Sequence, residues 1–238
     1  QWSKNVLLFL PLILAHRFGE VTTLLTVLWA FLSFSCCASA GHIVNVLLDL
    51  EADRCHPEKR FRPVASGSLA IQSALLMAFV LFAAGVVLSL CLLPLWFCWV
   101  VVGYTACSLW YSMALKELLL IDVLMLAGFY SYRIWAGGVV VDVEISRWFV
   151  AFSGFFFLNL AFLKRYTDLV AMKGRPQIDG PQINGRQING RQVEMGRRDY
   201  RVEDIELIRV FGPVAGMLSV LVLALYLNSD TVVKLYAH

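Results

Sequence analysis

"NVLLDLEADRCHPEKRFRPVASG", residues 45–67, interrupts a chain that otherwise avoids charge. An apolar run leads into it, and another begins within a few residues of its end. Inside it stand Asp49, Glu51, Asp53, Arg54, His56, Glu58, Lys59, Arg60 and Arg62. Dense charge of both signs between two apolar runs reads as the point where the chain leaves one membrane crossing and enters the next.

The rest of the chain supports that reading. Of 238 residues, 59% are hydrophobic and 16% charged, whereas a soluble domain is about 25% charged. The apolar residues form blocks at 4–16, 21–44, 68–90, 95–113, 118–141, 147–163 and 205–227. A helix needs roughly 20 predominantly apolar residues to cross a bilayer. The pattern predicts an all-α, polytopic transmembrane bundle with about seven spans visible. Cys36, Cys37, Cys91, Cys98 and Cys107 lie inside apolar blocks and no CxxC pair occurs, which argues against a zinc site or a disulfide framework.

Threading seven spans makes the connections alternate in side. One side receives Lys4, Arg54, Lys59, Arg60, Arg62, Lys116, Lys164, Arg165, Lys173, Arg175, Arg186, Arg191, Arg197, Arg198 and Arg201; the other receives Arg17, Arg147 and Lys234. The bias predicts that the charged loops face the cytoplasm of a multi-pass protein in the cell membrane. Residues 174–201 carry a five-residue repeat, QIDGP, QINGR, QINGR. So polar and glycine-rich a stretch has too little apolar surface to fold alone, and is expected to be a flexible cytoplasmic linker; a lid over the site is the alternative.

If the helix that ends near residue 45 continues through 53, Asn45, Asp49 and Asp53 fall at about 0°, 40° and 80° and form one stripe, with Glu51 off it. Carboxylates at the end of a membrane helix are costly unless a cation answers them. Oxygen ligands suit Mg²⁺, which usually binds one or two carboxylates plus phosphate oxygens. Asp49 and Asp53 are the candidate metal ligands. The cluster Arg54, Lys59, Arg60 and Arg62 follows, and such groups match phosphate. A bare topology signal would need the basic residues but not the aligned aspartates.

"NLAFLKRYTDLV", 159–170, ends the sixth block. Lys164 and Asp168 share a helix face there, beside Arg165 and Tyr166; the alternative is a snorkelling terminus with an i,i+4 pair. In "LWYSMALKELLLIDVLMLAGFYSYRIWAGG", 109–138, Tyr111, Ser112 and Lys116 stand at the rim and Asp122 about one turn inside. Arg133 lies about 16 Å further along that helix, as a substrate contact or as half of a structural ion pair.

These motifs resemble the UbiA superfamily of intramembrane transferases. "N-x-x-x-D-x-x-x-D" with "DRCHPEKRFRPVASG" is similar to its first signature, except that Val46 stands where the family has an aspartate. "KRYTD" is similar to one form of the second. "HPEKRFRPVASG", "YSMALKELLLIDV", "YRIWAGG" and "KRYTDL" together resemble the decaprenyl-phosphate phosphoribosyltransferase branch. The resemblance implies a single UbiA-like domain over 1–238, two of nine family helices lying beyond its C-terminus. It implies Mg²⁺ as cofactor, a diphosphate-containing donor (phosphoribosyl pyrophosphate) and a polyprenyl phosphate acceptor. Asp49, Asp53, Lys164 and Asp168 would be catalytic; Asn45, Lys59, Arg60, Arg62, Tyr111, Lys116, Asp122, Arg133, Arg165 and Tyr166 would bind substrate. The bilayer is the other expected partner, with self-association open and no nucleic acid. Prenyl transfer to an aromatic ring is the runner-up. A transporter is disfavoured because charge is sparse at the midplane, where transporter sites lie.

Overall fold

Backbone amides in lipid find no water, so apolar segments satisfy them internally as helices. The computed structural model describes residues 2–17, 19–55, 59–116, 118–173, 182–183, 186–187 and 204–228. Its helices are α1 (Trp2–Asn5), α2 (Leu10–Leu14), α3 (Val21–Leu48), α4 (Leu50–Cys55), α5 (Ile71–Leu92), α6 (Leu95–Trp110), α7 (Leu119–Val140), α8 (Arg147–Lys173) and α9 (Asp204–Leu227). Among the described residues, six helices are long and apolar enough to cross a membrane: α3, α5, α6 with the turn that extends it, α7, α8 and α9. Leu76, Phe79, Trp99 and Met217 point outward from them, the surface a lipid-facing helix presents.

The first of the seven apolar blocks behaves differently. Trp2–Leu14 is a short run of α1, a 3₁₀ turn at Val6–Phe9 and α2, about 20 Å long against a hydrocarbon core of about 30 Å. It packs on the bundle by one face, with Leu8 and Leu12 buried against α3 and α7 and Trp2, Val6, Ile13 and Leu14 exposed. Trp2 Nε1 donates to Ser39 Oγ at 3.0 Å and Asn5 Nδ2 to Ser35 Oγ at 2.9 Å. Lys4 is therefore level with the middle of α3, not with the charged rim where its place in the chain puts it.

Small residues let the helices close up. Ser33 Oγ donates to Gly85 O at 2.7 Å, and a Cβ on Gly85 would meet Ser33 O at 2.8 Å. A Cβ on Gly137 would collide with the Leu8 backbone, which is why "WAGG" packs so tightly on the N-terminal run. One core gathers Leu8, Val27, Phe34, Phe97, Val101 and Tyr104; a second gathers Val123, Phe162, Leu169, Ile208 and Ala215 between α7, α8 and α9. At the end away from the motifs, Arg17 bonds Glu20 at 2.8 Å and Val141 O at 2.9 Å, and its guanidinium holds the Glu20 carboxyl below the usual range.

Of the repeat-bearing segment 174–201, strand β1 (Gln182–Ile183) pairs antiparallel with β2 (Arg186–Gln187). The rest of the expected linker lies outside the described residues, as do His56, Glu58 and the C-terminal 229–238.

Candidate active site

The first motif is built on a helix that bends without breaking. Asp49 caps α3 with φ −95° and ψ 9°. Asp49 N still bonds Asn45 O at 3.1 Å, and Asp53 N bonds Asp49 O at 2.8 Å. This ladder keeps Asn45, Asp49 and Asp53 on one stripe, and Glu51 is exposed off it. Each aspartate faces a cation. Lys116 Nζ donates to Asp49 Oδ1, and Arg62 Nη1 reaches Asp53 Oδ2 at 2.7 Å. Asp53 is 3% exposed and Arg62, on the side chain, 43%, so Arg62 closes the aspartate off from outside.

Arg62 is delivered by a tight return. Lys59–Phe61 form a 3₁₀ turn, Arg62 N bonds Lys59 O at 2.9 Å, and Gly67 takes φ 80°, which favours glycine. Lys59 is half-buried, while Arg60 is exposed against the Phe61 ring at 4.8 Å. Lys116 is delivered by another irregularity. After Trp110 the helix widens into a π-turn over Tyr111–Leu115, and Lys116 N bonds Tyr111 O at 3.1 Å. Such turns recur at functional sites because the extra residue re-aims the side chains of the next turn.

The second motif joins the same end through buried charge. Asp122, fully buried, accepts from Tyr111 Oη and from Arg165 Nε, the latter at 2.6 Å. Arg165 Nη1 reaches Asp168 Oδ2 at 3.1 Å. The i,i+4 Lys164–Asp168 pair expected from spacing is replaced by this i,i+3 pair, because buried Arg165 bridges both carboxylates and Lys164 turns outward. Tyr166, a quarter-turn on, lines a different groove of about 230 Å³ between α8 and α9, with Phe162, Leu163, Arg209 and Pro213.

The ion-pair reading of Arg133 also yields. Its Nε donates to Asn5 Oδ1 at 2.9 Å, Nη1 to Phe129 O at 2.6 Å and Nη2 to Tyr104 Oη. Among the described residues it meets no carboxylate. Beside the first motif, an apolar cleft of about 360 Å³ lies between α3, α5 and α6, lined by Gly41, Val44, Ala78, Phe82, Val102 and Leu109. Val44 precedes Asn45, so the cleft opens next to the stripe. Among the described residues no three His, Cys, Asp or Glu gather into a metal cluster.

The sequence had no signal for the partners of Asp49 and Asp122: spacing does not show which of two helices 67 or 43 residues apart will meet. Asn5 was missed because a lone asparagine in an apolar run carries no periodicity.

The UbiA prenyltransferase family matches residues 6–177. A decaprenyl-phosphate phosphoribosyltransferase of Corynebacterium glutamicum is 38% identical over 173 residues, 71% of this chain and 52% of that protein. Nodulation protein NoeC of Azorhizobium caulinodans is 30% identical over 237 residues, 98% of this chain and 71% of that one. The chain spans about half the length of the phosphoribosyltransferases it matches. The structure of a UbiA homolog from Archaeoglobus fulgidus bound to DMAPP and Mg²⁺ has TM-score 0.71 at 14% identity, covering 96% of this chain and 76% of that one. A bundle of apolar, membrane-length helices with these motifs at one end, matched over most of its length, belongs to the UbiA prenyltransferase family and is a multi-pass membrane protein.

Proposed function

We propose that the chain transfers 5-phosphoribose from phosphoribosyl pyrophosphate to a polyprenyl phosphate, releasing diphosphate. The observation that carries the proposal is the pairing of two stripe carboxylates with two cations, Asp49 with Lys116 and Asp53 with Arg62. Such an arrangement would accept a diphosphate with its metal without leaving a charge unanswered: Asp49 and Asp53 would hold the metal, and Lys116 and Arg62 would answer phosphate oxygens. Relatives named decaprenyl-phosphate phosphoribosyltransferase support the choice of donor and acceptor.

The residues fit Mg²⁺. Asp49 and Asp53 supply hard oxygens one turn apart, with the Asn45 amide next on the stripe, and Mg²⁺ takes few protein ligands when phosphates supply the rest. When bound, the ion would draw charge from the diphosphate. Lys116, Arg62, Lys59 and Arg60 then neutralise diphosphate oxygens as the C1–O bond breaks and the electron pair leaves on diphosphate. A phosphate oxygen of the acceptor forms the new bond to C1. Arg165, held by Asp122 and Asp168, keeps the second motif in register. The cleft beside Val44 suits an isoprenoid chain. On the arginine and lysine bias, the site faces the cytoplasm, where a water-soluble donor meets a lipid-borne acceptor.

A second reading, transfer of a prenyl group from its diphosphate to an aromatic acceptor, is favoured by the fold neighbours bound to DMAPP or GPP with Mg²⁺. Isolated membranes offered labelled phosphoribosyl pyrophosphate or labelled prenyl diphosphate decide between them. Label from the sugar donor is expected in the lipid phase; label only from the prenyl donor overturns the proposal.

A further inference from the structure

Tyr111 opens the π-turn and Lys116 follows its last residue, and each is tied to a different motif. Lys116 Nζ donates to Asp49 of the first. Tyr111 Oη donates to Asp122, whose other oxygen takes Arg165 Nε at 2.6 Å. Arg165 in turn reaches Asp168 of the second motif at 3.1 Å. The turn closes the chain of contacts: Lys116 N bonds Tyr111 O at 3.1 Å, so a shift of the Tyr111 backbone is a shift of Lys116.

The sequence pointed to Tyr111 and Asp122 as substrate contacts, but neither is placed to meet a ligand. Asp122 is fully buried and Tyr111 is 8% exposed. The Tyr111 ring packs edge-on against Phe129 of α7, ring centres 5.6 Å apart, and its hydroxyl is directed at the Asp122 carboxylate. Both contacts come from α7, so α7 fixes where the turn starts. A staple between α6 and α7 would account for the Tyr111–Asp122 bond alone. It does not account for the widened turn. One residue of helix is about 100° of rotation, so without the residue that the turn accommodates Lys116 would point away from Asp49. Lys116 is itself buried, which leaves its ammonium where its backbone delivers it.

We propose that Tyr111 and Asp122 are positioning residues. Anchored by Arg165, they fix the π-turn so that Lys116 faces Asp49 and a diphosphate bound there; the geometry of the first motif thus depends on the buried charge of the second. The inference rests on the proposed diphosphate site, not on the choice of donor, since diphosphate leaves in either transfer.

A double-mutant cycle tests it, with Mg²⁺–diphosphate binding to the purified protein in nanodiscs as one readout. Lys116→Gln should weaken binding about tenfold, the share of one charge-assisted hydrogen bond. Tyr111→Phe, which keeps the ring and loses the hydroxyl, should weaken it about three- to fivefold. The double variant should bind no more weakly than Lys116→Gln, because the hydroxyl acts through the lysine. The other readout needs no ligand: acetylation of Lys116 by an amine reagent, followed by mass spectrometry. It should run several-fold faster in Tyr111→Phe, while exposed Lys164 reacts at its wild-type rate. Effects that multiply in the double variant overturn the assignment, as does Tyr111→Phe binding like a wild type that binds. So do an unchanged rate at Lys116 and equal rises at Lys116 and Lys164, the latter being general loosening. Should Tyr111→Phe not fold, Asp122→Asn weakens the same bond and is read in the same way. A wild type that binds no Mg²⁺–diphosphate overturns the proposed function, and acetylation then decides the positioning by itself.

Discussion

Asp49 and Lys116, 67 residues apart in the chain, meet as an ion pair at the charged end of the bundle. The contact needs two local departures from a straight α-helix. Asp49 sits at the bend between α3 and α4, and Lys116 follows the π-turn that ends α6. Both irregularities aim polar groups at a point that two regular helices would leave apolar.

If Asp49 and Asp53 hold the metal, Asp49→Asn and Asp53→Asn should each abolish transfer while the protein still folds in membranes. Glu51→Gln, exposed and off the stripe, should stay within a few-fold of wild type. Wild-type activity of either aspartate variant at saturating Mg²⁺ would falsify the metal assignment.

Arg165 and Asp122 form the most deeply buried ion pair among the described residues. Arg165→Met strands the Asp122 carboxylate and should cost about 3–5 kcal/mol. Asp122→Asn, which leaves Arg165 its contact with Asp168, should cost less. Thermal unfolding in detergent reads both; equal midpoints for Arg165→Met and the wild type would show that the pair does not hold α7 to α8.

Gly137 leaves no room for a side chain against the Leu8 backbone. Gly137→Ala is expected to displace the N-terminal run and lower the unfolding midpoint by several degrees, in line with overpacking costs of about 1–3 kcal/mol. Gly128, with open space around its Cα, is the control: Gly128→Ala should leave the midpoint unchanged or raise it, since alanine favours helix.

Val46 is half-buried next to the stripe. Val46→Asp would add a carboxylate beside Asp53 on the helical wheel and should lower the Mg²⁺ concentration needed for half-maximal activity. A natural chain inactive at every Mg²⁺ level, with Val46→Asp active, would mean that valine disables this protein.

Cysteines introduced at Asn184 and Asn189 should react with impermeant thiol reagents only from the cytoplasmic side. Labelling from outside intact cells would reverse the orientation.

Much of the fold was legible because the bilayer imposes it. Lipid offers the backbone no hydrogen bonds, so apolar length alone marks α3, α5, α6, α7, α8 and α9 as helices. The Asn45, Asp49 and Asp53 stripe was legible for a related reason: residues four apart share a face wherever the helix persists, and the backbone bonds show that it persists through the bend. Periodicity stops at the edge of one helix. Which helix supplies the cation for Asp49, whether Asp168 pairs with Lys164 or Arg165, and where Trp2–Leu14 lies depend on packing between segments far apart in sequence. Those were decided by close approach at Gly85 and Gly137 and by the burial cost of each charge. Apolar length and four-residue spacing were therefore enough to mark a helical membrane protein with an aspartate stripe. The partners of its charges came from packing between helices far apart in sequence, which no local pattern encodes.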